Sequence, residues 1–342
     1  MLNCAVIGAT GYTGVELIKI LLRHPHVQIV GMTTRQKEAI PLRRLVPTLP
    51  DDLNLEVRPY SFPEIKRKAD VVFLCLPHTE AMQTAAKFLA AKKIVIDLSA
   101  DFRLKDWKTY EAWYGTKHLN RELLKQAVYG LPELFREQIR KADLIANPGC
   151  YPTGTILGVA PLLANNLIDP DSIVIDAKSG VSGAGKKLNQ STQFCEVDEN
   201  FYAYKVGKHQ HTPEIEQALS RAAGSQIQVT FVPHLLPLDR GILATIYLSR
   251  KRGVSAERVR EVYQEAYGDE AFVRLKPVGE FPALRDVQKT NFCDIGFWAD
   301  PESDRLIVVT AIDNLLKGAS GQAVQNLNVR AGFAEDEGLR TW

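Results

Sequence analysis

"NCAVIGATGYTGVELIKILLRH", residues 3–24, reads as strand, glycine turn and helix in one unbroken run. Residues 3–7 are short and apolar. Gly8, Gly11 and Gly14 follow at three-residue spacing, and Val15, Ile18, Leu21 and Leu22 then fall on one helical stripe. Glycines let the backbone approach a pyrophosphate, and a helix N-terminus offers free N–H groups and the positive end of a dipole. The run predicts a phosphate-binding turn heading a doubly wound sheet in an α/β fold. Gly8, Thr10, Gly11, Tyr12, Thr13 and Gly14 are its cofactor-binding residues.

The chain continues in that pattern. A strand at 27–32 ends in "TTR", Thr33 to Arg35, where an NAD site would place an acid on the ribose hydroxyl. Hydroxyls and an arginine suit a 2′-phosphate, so the expected cofactor is NADP(H). "DVVFLCLP" (70–77) is apolar on both faces, which puts Cys75 in the core and Pro77 at the strand's end. "KKIVIDLSADFRL" (92–104) ends in polar residues, and ligands of open parallel sheets bind beyond the carboxyl ends of strands. That places His78, Ser99, Asp101 and Arg103 on the chemical edge. Arg103 is the substrate-binding candidate among them, because a guanidinium fits a phosphate or carboxylate. "DLIANPGC" (143–150) is the last strand of this sheet.

Cys150 follows the turn Pro148-Gly149 and precedes "YPTGTILG", which enters a helix. A helix N-terminus favours thiolate, and neighbouring N–H groups can hold an oxyanion. Cys150 is therefore the expected nucleophile. Inert burial is expected for Cys4, Cys75 and Cys293, and favoured for Cys195. A thiol nucleophile needs a base, and "KVGKHQHTPEIEQAL" (205–219) offers His209 and His211 ahead of a helix with Thr212 as N-cap and Pro213 as first residue. The two alternate in direction in an extended segment, so one of them faces the sulfur; the residues do not say which.

A chain of 342 residues fits about two domains. Net charge of +2 gives no basic surface for nucleic acid, and no apolar run reaches a membrane span. A strand starting at residue 3 leaves no room for a signal peptide. Odd, scattered cysteines without CxxC spacing argue against disulfides or a metal site, hence for a reducing cytoplasm. From residue 171 five β-type runs and one helical insert near 255–267 predict a mixed or antiparallel sheet for substrate binding and subunit contact. "SGVSGAGKK" (179–187) is a loop offering Ser182, Gly183 and Lys186, and Arg240 in "PLDRG" could reach a substrate carboxylate. "DNLLKGASGQAVQN" (313–326) returns to the first domain and brings Asn314, Lys317 and Gly318 to the cofactor. The expected domains are 1–149 plus 313–342 for the dinucleotide, and 150–312 for substrate and dimerisation.

Together "GATGYTGVEL", "IDLSADFRL", "NPGCYPTG", "KHQHTPEI", "DRGILAT" and "DNLLKGASGQAVQN" resemble the N-acetyl-gamma-glutamyl-phosphate reductases of arginine biosynthesis, over essentially the whole chain. The resemblance implies a Rossmann domain with an α+β second domain like that of glyceraldehyde-3-phosphate dehydrogenase. It implies NADPH, a catalytic cysteine at Cys150 and the histidine motif at His209 and His211. It also implies reduction of an acyl phosphate through a cysteine thioester, in a cytoplasmic homodimer or homotetramer. Related reductases of aspartyl phosphate or of carrier-linked aminoadipyl phosphate are the alternative.

Overall fold

The computed structural model describes residues 1–50 and 53–340, in two compact units: residues 1–148 with 319–340, and residues 149–318. Residues 313–318, expected in the first domain, cluster with the second unit.

The first unit carries strands β1 (Leu2–Ile7), β2 (Val27–Thr34), β3 (Ile40–Pro41), β4 (Glu56–Pro59), β5 (Val71–Leu74), β6 (Ile94–Asp97), β7 (Val128–Tyr129) and β8 (Leu144–Ala146). Its helices are α1 (Tyr12–Leu21), α2 (Phe62–Lys68), α3 (Ala81–Ala90), α4 (Trp107–Tyr114), α5 (Arg121–Gln126) and α6 (Pro132–Ile139), joined by Gly321–Ala331 from the chain's end. The sheet order is β3-β4-β2-β1-β5-β6-β8-β7, parallel apart from β3. Without the two-residue edge strands this is a doubly wound sheet whose order reverses between β1 and β5. β5 is buried along its whole length, as an apolar run covered on both faces requires. The buried stripe of α1 is Leu17, Ile18, Ile20 and Leu21, turned from the predicted one: Val15 and Leu22 are only half-buried.

The second unit holds β9 (Val174–Gly180), β10 (Tyr202–Ala203), β11 (Thr230–Leu236), β12 (Ile242–Ser249), β13 (Val273–Leu275), β14 (Cys293–Ala299) and β15 (Arg305–Ile312). They form one mixed sheet in the order β10-β11-β9-β12-β15-β14-β13. The short edge strands β10 and β13 were not foreseen, because two or three residues carry no readable period. Helices are α7 (Cys150–Ala164), α8 (Phe194–Val197), α9 (Thr212–Ala223), α10 (Ala256–Tyr267) and α11 (Leu284–Val287); the chain-end helix of the first unit is α12 (Gly321–Ala331).

α7 is buried almost all round, which fixes where its first residue lies. Gly154 and Gly158 bring it close to the sheet: a Cβ on Gly158 would stand 2.8 Å from Thr310 Cγ2 and 3.3 Å from Ile246 Cδ1. Pro161 lacks the N–H that would pair with the Leu157 carbonyl. Tyr267 Oη donates to that carbonyl instead, at 2.8 Å, so α10 satisfies the break from outside.

Candidate active site

In the first unit, the turn after β1 is forced by its neighbours. Gly8 has φ +89, and a Cβ there would stand 2.4 Å from the Cys75 carbonyl oxygen. On Gly14 it would stand 2.7 Å from Gly8 O. At Gly11, the N-cap of α1, a Cβ would meet nothing nearer than Gly8 O at 4.0 Å. Protein packing does not require the middle glycine. The open side at Gly11 leaves room for a phosphate to approach the backbone, so the turn fits a dinucleotide. Thr33 is buried and its hydroxyl accepts from Gly8 N–H at 3.4 Å, so it shapes the turn from inside. Arg35 is exposed and ion-paired with Glu80. Tyr12 is exposed beside the turn, and Thr13 O accepts from Ser320 Oγ at 2.7 Å.

The other end of this edge is held by buried carboxylates. Asp101 accepts from Thr79 N–H at 2.6 Å, Ala81 N–H at 2.9 Å and Tyr110 Oη at 2.8 Å. Thr79 between those amides has φ +75, unusual for a β-branched residue, and strain of this kind gathers at functional turns. Pro77 and His78 lie exposed just ahead of it, and His78 Nδ1 accepts from Ala100 N–H at 3.0 Å. Asp97 accepts from Ser99 Oγ at 2.7 Å; burial, then the charge of Asp101, pushes its carboxyl up to about 7. Ser99 Oγ also accepts from Asp101 N–H, so the hydroxyl serves this network. Arg103 is buried too. Its Nε donates to Asn147 O at 2.7 Å and its Nη2 to Leu98 O at 2.9 Å, fixing the chain just before Pro148.

In the second unit, Cys150 is the first residue of α7, with Gly149 as N-cap. Gly318 lies against it: a Cβ there would stand 2.8 Å from Cys150 Cβ and 3.2 Å from its Cα. Gly318 belongs to a π-helical turn, Leu316–Ser320, and such turns recur at functional sites. Asp313 starts that segment, accepting from Leu315 N–H at 2.8 Å and Lys289 N–H at 2.7 Å.

The structure separates the two histidines. His211, not Thr212, is the N-cap of α9, because Thr212 already donates its N–H to His209 O at 2.9 Å. His209 is buried among Tyr151, Tyr204 and Phe231. Its Nδ1 accepts from His211 N–H at 3.1 Å, which leaves the proton on Nε2, 3.3 Å from Tyr204 Oη. Tyr204 and Tyr151 hydroxyls are 3.2 Å apart, and Tyr151 donates to His234 O. Burial pushes both phenols above their ordinary range, so they stay protonated. His211 is half-buried.

Other expected cofactor residues lie in this unit. Asn314 spends Oδ1 on Gly241 N–H at 2.8 Å and Nδ2 on Ser182 Oγ at 3.0 Å. Gly183 follows in the turn Val181–Ala184, and Lys186 beyond it is exposed. Lys317 is fully buried, its ammonium 5.7 Å from the Phe272 ring. Arg240 lies 3.5 Å from Asp313. Burial pushes the thiols of Cys4 and Cys75 up to about 12, whereas Cys195, undecided in the sequence with burial favoured, is exposed on α8. Glu214, Tyr204 and Asp313 were not singled out as site residues; Asp313-Asn314 carried a signal, an Asx-type turn at the end of a strand, and Glu214 one as a first-turn acid.

Residues 3–142 match the semialdehyde dehydrogenase NAD binding domain, and residues 150–314 match the semialdehyde dehydrogenase dimerisation domain. The fold is that of aspartate semialdehyde dehydrogenase II from Vibrio cholerae, with TM-score 0.75 at 17% identity over 97% of this chain and 99% of that one. It is also that of the Candida albicans enzyme solved with NADP, with TM-score 0.71 at 17% identity over 96% and 98%. The chain is thus an oxidoreductase of the semialdehyde dehydrogenase class with an NAD(P)-binding domain. It is 52% identical to N-acetyl-gamma-glutamyl-phosphate reductase of Pelotomaculum thermopropionicum over 98% of this chain and 96% of that protein. The same enzyme of Desulfotalea psychrophila is 51% identical over 99% and 98%. The chain belongs to the N-acetyl-gamma-glutamyl-phosphate reductase family.

Proposed function

We propose that the chain reduces N-acetyl-gamma-glutamyl phosphate to N-acetylglutamate semialdehyde with release of phosphate, through a thioester on Cys150 and with NADPH. The observation that carries this reading is Cys150 as first residue of a fifteen-residue buried helix, packed on Gly318. Full-length likeness to reductases of that name supports the acyl group.

The helix N-terminus favours the Cys150 thiolate. The sulfur attacks the acyl carbon, and backbone N–H groups at the start of α7 stabilise the oxyanion. The C–O bond to phosphate breaks and the thioester remains on Cys150. A bound nicotinamide supplies the hydride. His211 protonates the resulting thiohemiacetal oxygen and takes the proton back as the carbonyl re-forms and the C–S bond breaks. His209 is excluded from that role because both its ring nitrogens are committed, one to a backbone N–H and one to Tyr204. Arg240 is the contact for the substrate carboxylate, drawn from its loose pairing with Asp313. Arg103 serves as scaffold rather than substrate contact. In the first unit Gly8–Gly14 hold the pyrophosphate, and Arg35 selects NADP(H) by binding the 2′-phosphate.

Assay of the reverse reaction tests the reading, following NADPH formation from N-acetylglutamate semialdehyde, phosphate and NADP⁺. Turnover with aspartate semialdehyde alone, or with NAD⁺ in preference to NADP⁺, would reject it.

The same reading includes a homodimer built on the sheet of the second unit. One face of that sheet carries a row across four strands, Val174, Tyr247, Ile307 and Trp298, in mutual register. Three of the four are exposed, a patch suited to a second copy. A monomer in sedimentation at micromolar concentration would reject the homodimer.

A further inference from the structure

Asp313 turns its two carboxylate oxygens in different directions. Its side chain is 0% exposed, and a carboxylate so buried must be met by donors. Oδ1 accepts from Leu315 N–H at 2.8 Å and Leu316 N–H at 3.1 Å, and the Asp313 carbonyl accepts from Gly318 N–H at 2.9 Å. That side shapes the turn that lays Gly318 on Cys150. Oδ2 accepts from Lys289 N–H at 2.7 Å and stands 3.5 Å from Arg240 Nη1. Lys289 has φ +62, a left-handed backbone that lysine rarely adopts. The same neighbours hold the main chain around Arg240. Gln288 Nε2 donates to Arg240 O at 2.8 Å, and Gly241 N–H donates to Asn314 Oδ1 at 2.8 Å. Residues 288–289 and 313–314 therefore grip Arg240 by its backbone and by its charged end.

We infer that Asp313 is a positioning residue that aims the Arg240 guanidinium at the substrate carboxylate, and so selects acyl groups that carry one. The inference rests on the assignment of Arg240 above. An arginine has many rotamers, and a fixed counter-charge reduces the freedom left to lose when a ligand binds. Asp239 also stands 3.5 Å from the guanidinium, but it is 79% exposed and water screens it. Asp313 is the counter-charge that stays in place. Its contact with Arg240 is loose, so the planar fork meets a second carboxylate without leaving the first.

The test uses the full-length enzyme, the variants D313N, D313S and R240A, and two aldehydes in the reverse reaction with phosphate and NADP⁺. One aldehyde is N-acetylglutamate semialdehyde. The other is 4-acetamidobutanal, the same molecule without its carboxylate. Asparagine keeps an oxygen for Leu315 and Leu316 N–H and turns an NH2 donor toward Arg240, so the turn stays and the counter-charge goes. D313N therefore loses about 10-fold in kcat/KM for N-acetylglutamate semialdehyde and stays within about 3-fold of the parent for 4-acetamidobutanal. R240A shows the same split more strongly, about 100-fold against about 3-fold. Should D313N fail to fold, D313S decides: its hydroxyl accepts from the turn but does not reach Arg240, so the same split is expected. Equal losses on both aldehydes in the aspartate variant overturn the inference, because its role would then be structural alone. Parent activity on both overturns it too. Equal losses on both aldehydes in R240A reject Arg240 as the carboxylate contact; a split in R240A beside none in D313N rejects only the role of Asp313.

Discussion

The proposed chemistry rests on two turns, Gly8–Gly14 in the first unit and Gly149–Thr153 in the second, and both place backbone N–H groups at the head of a helix. They are secured differently. The first is held by Thr33 of β2, by the strand end at Cys75 and, from the far end of the chain, by Ser320. The second is held by Glu214 from α9 and by Gly318 from a segment that follows the last strand. The glycine spacing of the first turn is nonetheless written in one strand-turn-helix run. A turn that aims a nucleophile must be referenced to its acid/base partner, and that partner arrives from elsewhere in the chain.

The largest effect separates the two turns by function. Cys150→Ser leaves NADPH affinity and thermal stability near the parent values and lowers turnover by about 10⁴-fold or more. Cofactor titration and the reverse assay on one preparation measure both. Alkylation sharpens the result. Cys150 reacts first and exposed Cys195 second. Cys4 and Cys75, which burial pushes up to about 12, react only after unfolding. Cys195 ahead of Cys150 at pH 6 would remove the case for an activated thiol.

Within the first turn, two glycines test whether packing or ligand dictates the residue. Gly8→Ala meets both a positive φ and the Cys75 carbonyl, so it costs about 3 kcal/mol or more, seen as a fall in melting temperature of at least about 6 °C. Gly11→Ala meets open space, so stability changes by at most about 2 °C while NADPH binds about 10-fold more weakly. Equal thermal losses in the two would mean that the open side of Gly11 is not reserved for a ligand.

Arg35→Ala has a smaller reach. It weakens NADPH by about 10-fold, leaves NADH unchanged, and reduces the salt dependence of NADPH binding. An equal loss for both cofactors would move the choice of NADP(H) to other groups of the first unit.

The same contrast explains how far the sequence could be read. The parallel sheet, its glycine turn and the helix behind Cys150 are written in contiguous runs of period 2 or 3.6, so each is legible where it stands. The place of Cys150 at a helix start was legible because a Pro-Gly turn and a helical run flank it. Glu214 was visible only as an acid in the first turn of α9, since its partner amide lies 65 residues earlier. The histidines stayed undecided for the same reason: alternation says that two side chains diverge, but only Tyr204 and the His211 amide say which ring is committed. Arg103 was legible as charge at a strand end, but its bonds to the carbonyls of Asn147 and Leu98 were not, because those partners are set by the fold.

The smallest expected effect concerns Asp97, and it tests whether the cofactor edge, too, depends on a buried carboxylate. Its carboxyl is pushed up to about 7 by burial, then by the charge of Asp101. An unfolded aspartate titrates near 4. Between about pH 4 and pH 7 the folded chain therefore keeps a proton that the unfolded chain has released. The slope of stability against pH is negative there. Stability from this group is present at low pH and is lost as pH rises toward 7. Asp97→Asn removes the titration and keeps an oxygen for the Ser99 N–H that Asp97 Oδ1 now accepts at 3.0 Å. The melting temperature of the variant relative to the parent should therefore climb from pH 5 to pH 8, by about 2–4 °C. A flat difference would mean that Asp97 stays ionised in the folded protein, with Arg103 and the Ser99 donors outweighing burial. The first edge would then be as dependent on a fixed charge as the thiol turn is on Glu214.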